Sequence, residues 1–60
     1  MSSIYLIKMK GKEEYLHYVD GEYIMKDTIQ NACTWYDKLE VNCFLQSLDQ
    51  PEYEIKQIKN

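Results

Sequence analysis

Residues 14–26 read EYLHYVDGEYIMK, and the Asp20-Gly21 pair near their centre decides how the chain folds. A two-residue hairpin turn that matches the right-handed twist of its strands is of type I′, with positive φ at both central residues. Asp-Gly is among the few pairs that accept this geometry. Apolar and aromatic residues flank the pair on both sides, so 14–19 and 22–26 are expected to be paired antiparallel strands. The turn also sets the register, with Val19 opposite Glu22, Tyr18 opposite Tyr23, His17 opposite Ile24 and Leu16 opposite Met25. Alternation then places Leu16, Tyr18, Tyr23 and Met25 on one face, uniformly apolar and expected to meet the core. Tyr15, His17, Val19, Glu22, Ile24 and Lys26 share the other face, which holds more large apolar groups than a solvated face needs.

Upstream, SIYLIKMK (3–10) is rich in β-branched and aromatic residues and reads as a strand. The Lys10-Gly11-Lys12 turn joins it to the hairpin. Downstream, KDTIQNA (26–32) is a polar connection in which Ile29 is expected to plug one end of the core, and ACTW (32–35) is a short extended segment. Asp37 is placed to cap a helix, since its carboxylate can accept the free amides of a first turn, and Glu40 completes a variant of the capping box. The helix is expected over 38–48, with Val41, Phe44, Leu45 and Leu48 as its core stripe. Asp49-Gln50-Pro51 ends it, because proline disfavours a helical residue before it. EYEIKQI (52–58) is the closing strand, with Tyr53 and Ile55 on one face. Ile58 breaks its alternation and suggests a bulge or a lone edge contact.

The expected architecture is α+β, a single domain over 1–60 in the order β-β-β-short β-α-β. One helix packs on one face of an antiparallel sheet in two layers. Nothing in the chain is expected to cover the other face. A chain of 60 residues buries only about 60% of the surface its unfolded form exposes, so a disulfide, a metal or a partner subunit is a common aid at this size. Six Tyr, one Trp and one Phe supply large burial areas and argue for a folded chain. No apolar run is long enough for a membrane span and Met1-Ser2-Ser3 does not open a signal peptide, so the expected location is the cytoplasm. Cys33 and Cys43 are then two free thiols rather than a staple.

The net charge of −3 comes from ten acids against seven lysines, with no arginine. Arginine best makes bidentate contacts to phosphate and guanine, so its absence counts against nucleic-acid recognition. Lys8, Lys10 and Lys12 form a small basic strip that Glu13 and Glu14 interrupt. An acidic surface mimicking DNA is the opposite possibility, but the lysines dilute it. His17, Cys33 and Cys43 are the soft metal ligands, and none has a zinc-site spacing, so no metal or other cofactor is expected. A Cys33–His17 nucleophilic pair can be drawn, but no Gly-rich phosphate loop or oxyanion-hole pattern accompanies it. The chain is expected not to be an enzyme.

Three runs, YLIKMKGKEEYLHY (5–18), ACTWYDKLEVNCFLQSL (32–48) and YEIKQI (53–58), together resemble a widespread type of small protein encoded by phages and prophages of low-GC Gram-positive bacteria. The shared elements are the opening Tyr5 to Lys8, the turn and Tyr-Leu of Gly11 to Leu16, and Ala32 to Trp35. The helix motif Phe44 to Leu48 and the closing Tyr53 to Ile55 complete them. In that pattern the position of Val41 is more often alanine and that of Cys43 more often charged, so the outer helix face is less polar here. Small phage proteins of this size include inhibitors of bacterial defence systems such as CRISPR and Hachiman. The resemblance therefore implies a role against a host protein.

The aromatics exceed what one helix can cover, and Tyr and Trp anchor many interfaces. Tyr15, His17, Val19 and Ile24 on the second sheet face, with Trp35, Tyr36, Leu39 and Cys43 near the helix, are the candidate binding residues. A homodimer that shields the second face is expected. The leading function is a non-catalytic phage accessory protein that binds and inhibits a host protein, such as an anti-phage defence component. The alternatives are a small nucleic-acid-associated regulator using Lys8, Lys10 and Lys12, or a nucleotide-binding sponge.

Overall fold

The computed structural model describes residues 3–59 and contains four strands and one helix. Strands β1 (Ser3–Met9), β2 (Tyr15–Val19) and β3 (Glu22–Lys26) precede helix α1 (Lys38–Leu48), and β4 (Tyr53–Lys59) closes the chain. The sheet has the order β3-β2-β1-β4 with every neighbouring pair antiparallel. The α+β, two-layer expectation holds. The expectations for Met1-Ser2 lie outside the described residues.

Asp20 and Gly21 take φ of 53° and 80°, the type I′ conformation, and the strands they join pair in the expected register from Val19↔Glu22 to Leu16↔Met25. The β1–β4 ladder is longer, running without interruption from Ser3↔Lys59 to Met9↔Tyr53. Ile58 sits in it opposite Ile4, so no bulge forms there. Its apparent break in pattern arises because it lies on the second face of this ladder, paired with Ile4.

Strands β1 and β2 pair only at their Lys8/Tyr15 ends and then diverge. The short extended segment enters the gap. Trp35 exchanges two backbone hydrogen bonds with Tyr5 (2.8 and 2.9 Å), and the Cys33 amide donates to the Leu16 carbonyl at 2.9 Å. The segment thereby satisfies edge groups of both strands that would otherwise be buried without partners.

The helix starts where Asp37 Oδ1 accepts from the Leu39 amide at 2.9 Å. It stops at Asp49, which turns left-handed (φ 53°) and donates its amide to the Gln46 carbonyl. The helix lies over β1 and β4. Val41, Ile7 and Leu16 form the buried centre, ringed by Tyr5, Met25, Trp35, Phe44, Leu45, Leu48, Tyr53 and Ile55. Ile29 is exposed rather than plugging the core, because its connection folds toward the other face of the sheet.

Candidate binding surface

The second face is not open. Leu6, Tyr15 and His17 are only 2%, 4% and 2% exposed. Strand alternation places all three opposite the helix, since their neighbours Ile7 and Leu16 are in the core. Three devices close this face. The 27–33 connection brings the Gln30 carbonyl to 3.1 Å from His17 Nε2, while His17 Nδ1 lies 2.9 Å from the Tyr15 carbonyl. Lys56 holds its Nζ 6.0 Å from the centroid of the Tyr15 ring. Lys8, its side chain 12% exposed, pairs with Glu54 at 3.1 Å. Long lysine stems lying along apolar surface are a standard way to cover a sheet with few residues.

This corrects the expectation that nothing in the chain covers the second face, and with it the placement of Tyr15 and His17 as surface binding residues. Both His17 ring nitrogens face carbonyl oxygens in a buried site, and none is offered to a ligand or to Cys33. The Tyr15 hydroxyl donates to Glu13 Oε2 at 2.6 Å. That bond, together with burial and the Glu13 charge, raises the Tyr15 pKa. In return the bond from Tyr15, then the Lys56 and Lys8 charges, lower that of Glu13. Of the second-face candidates, only Val19 and Ile24 remain exposed, at the hairpin end.

The open aromatic surface is on the helix side instead. The helix lies over β1 and β4 and touches the outer half of the β2–β3 hairpin through Phe44, which leaves Tyr18 and Tyr23 58% and 49% exposed on the face expected to be core. Their rings are 4.8 Å apart, Tyr23 meets the edge of Phe44 at 5.3 Å, and Phe44 lies 5.1 Å from Trp35. The result is a continuous row, Tyr18–Tyr23–Phe44–Trp35, anchored in the core at one end and wet at the other. The turn register already placed Tyr18 opposite Tyr23. What it lacked was the position of the helix, which decides how much of that face is covered.

Trp35 is thus half-buried at the inner end of the row, and Tyr36 beside it in sequence is exposed. Leu39 is 74% exposed and Cys43, one turn on, is exposed as well. The eight candidate residues therefore do not form one patch. They divide among a closed face, a hairpin end, the inner end of the row and the outer side of the helix.

Lys8 is committed to Glu54 and the Met9 carbonyl, so Lys8, Lys10 and Lys12 are not a free cationic strip. Burial pushes the Cys33 thiol pKa up, which lowers the thiolate fraction a nucleophile needs. A shallow depression of about 490 Å³, lined by residues including Lys10, Leu45, Asp49, Pro51 and Tyr53, lies at the far end of the helix and is open to solvent. Among the described residues no group of three or more His, Cys, Asp or Glu is placed to hold a metal. Among the described residues no helix is long and apolar enough to cross a membrane. No protein-family model, curated protein or solved structure matches this chain.

Proposed function

We propose that this protein is a non-catalytic phage or prophage accessory protein that binds and inhibits a host protein, an anti-phage defence component, in the host cytoplasm. The observation that carries the proposal is the half-exposed aromatic row led by Tyr18 and Tyr23. Tyrosines held rigid by neighbouring rings offer a large contact area with a polar tip and lose little side-chain entropy on binding. Tyr36 and Leu39, exposed at the start of the helix, add apolar surface outside the row. The resemblance of the Tyr5 to Lys8, Ala32 to Trp35 and Phe44 to Leu48 elements to small phage proteins supplies the host context.

The test is affinity capture from lysates of otherwise matched strains with and without a defence system. The wild-type chain is expected to retain a component of that system, and the Tyr18→Ala variant to lose it. Equal retention by wild type and variant, or retention of no defence component, would overturn the proposal.

A further inference from the structure

We infer that two copies of this chain join through their β3 edges, as a two-fold antiparallel pair centred on Ile24 that continues the sheet from one subunit into the next. The inference goes beyond the inhibitory role and stands without it.

Strand β3 is bonded to β2 on one side only and ends the sheet. The turn makes Val19 and Glu22 a hydrogen-bonded pair, so by alternation Ile24 and Lys26 also direct their backbone groups toward β2. Tyr23 and Met25 direct theirs outward. Among the described residues, no backbone hydrogen bond from outside the hairpin reaches either of them. A strand whose outward N–H and C=O groups are unpaired is a template for another strand.

One register matches every position of this strand with its copy. Centring the two-fold axis on Ile24 sets Ile24 against Ile24, Tyr23 against Met25, and Glu22 against Lys26. The Tyr23/Met25 pairs are then the hydrogen-bonded ones, occurring twice, as the outward groups require. Tyr23 and Met25 meet on the helix side, next to the aromatic row, while Ile24 meets its copy on the second face. The two Glu22–Lys26 pairs flank that contact with opposite charges. All five residues of the strand are used, and four of them are exposed in the single chain.

The other edge argues by contrast. Strand β4 carries Lys56 at its midpoint, so full-length two-fold pairing there sets lysine against lysine. A mid-strand lysine is a common guard against edge pairing. Strand β3 has its single lysine at the end, where its own copy presents a glutamate.

The experiment is a charge swap read by sedimentation velocity over a concentration series reaching the millimolar range. Glu22→Lys or Lys26→Glu turns two attractive cross-strand pairs into repulsive ones, and each is expected to weaken the dimer about tenfold. The double variant E22K/K26E restores complementarity and is expected to recover wild-type association. Mixing the two single variants is expected to give a heterodimer tighter than either alone. Melting curves check that the variants fold, since both side chains are exposed and without an ion-pair partner within the described chain. A wild-type chain that stays monomeric throughout, or a dimer indifferent to all four charge arrangements, would overturn the inference.

Discussion

Trp35 and Tyr5 exchange backbone hydrogen bonds in both directions, at 2.8 and 2.9 Å, although thirty positions separate them in sequence. That exchange ties the segment before the helix into the gap where β1 and β2 part. It also fixes where α1 begins, and so fixes that the helix covers β1 and β4 and touches the outer hairpin through Phe44. The exposure of Tyr18 and Tyr23 follows from it.

Core contacts carry most of the stability of so small a domain. Ile7 is fully buried between the sheet and Val41. Ile7→Ala should cost about 3 kcal/mol, a large share of what a chain of this size holds in total. Chemical denaturation should show the loss as a lower midpoint with an unchanged slope.

His17 closes the second face through the Gln30 carbonyl. His17→Ala removes the buried ring that sits between the Tyr15 and Gln30 carbonyls, with the N–H it donates there, and should destabilise the chain by about 2 kcal/mol. Amide hydrogen exchange should rise across 27–33 before it rises in the β1–β4 ladder.

The Tyr15–Glu13 contact has a defined pH signature. The hydrogen bond to the carboxylate raises the Tyr15 pKa, so an alkaline absorbance titration should show this tyrosine ionising above the ordinary tyrosine range. Glu13→Gln should bring it back toward the ordinary range. For Glu13 the sign runs the other way. Its folded pKa is lowered, so the contact favours the fold above the ordinary glutamate range and is lost as pH falls through the lowered folded value.

The two thiols should behave differently. Cys43 is exposed, whereas Cys33 is partly buried with its pKa pushed up by burial. Labelling by a thiol reagent, followed by mass spectrometry, should modify Cys43 first. The Cys33 rate should rise only at higher pH than an ordinary thiol requires.

Local chemistry was enough to predict much of this fold from sequence. Asp20-Gly21 specified a hairpin and its register residue by residue, and Asp37 with the 41/44/45/48 stripe specified the helix and its buried side. Both signals lie within a few neighbouring positions. The closure of the second face did not, because it depends on where a polar connection crosses the sheet and on which lysines lie flat. Gln30 covers His17 with a backbone carbonyl, an atom every residue possesses, so no side-chain pattern announces it. Lys8 and Lys56 look like solvated strand residues until β4 is placed beside β1. For the same reason Tyr15 and His17 read as surface and Tyr18 and Tyr23 as core, the reverse of their exposures. The face assignment was right, but the position of the single helix decided which part of each face stayed wet.

The most direct trial of the proposed role is phage plating on a defence-bearing host that produces the chain. Wild-type protein should restore plaque formation. Tyr18→Ala, at an exposed position on β2, should fold normally yet weaken target binding by about 2 kcal/mol, roughly thirtyfold, and lose that rescue. Rescue by Tyr18→Ala equal to wild type, measured at matched protein levels, would contradict the claim that the aromatic row is the working surface.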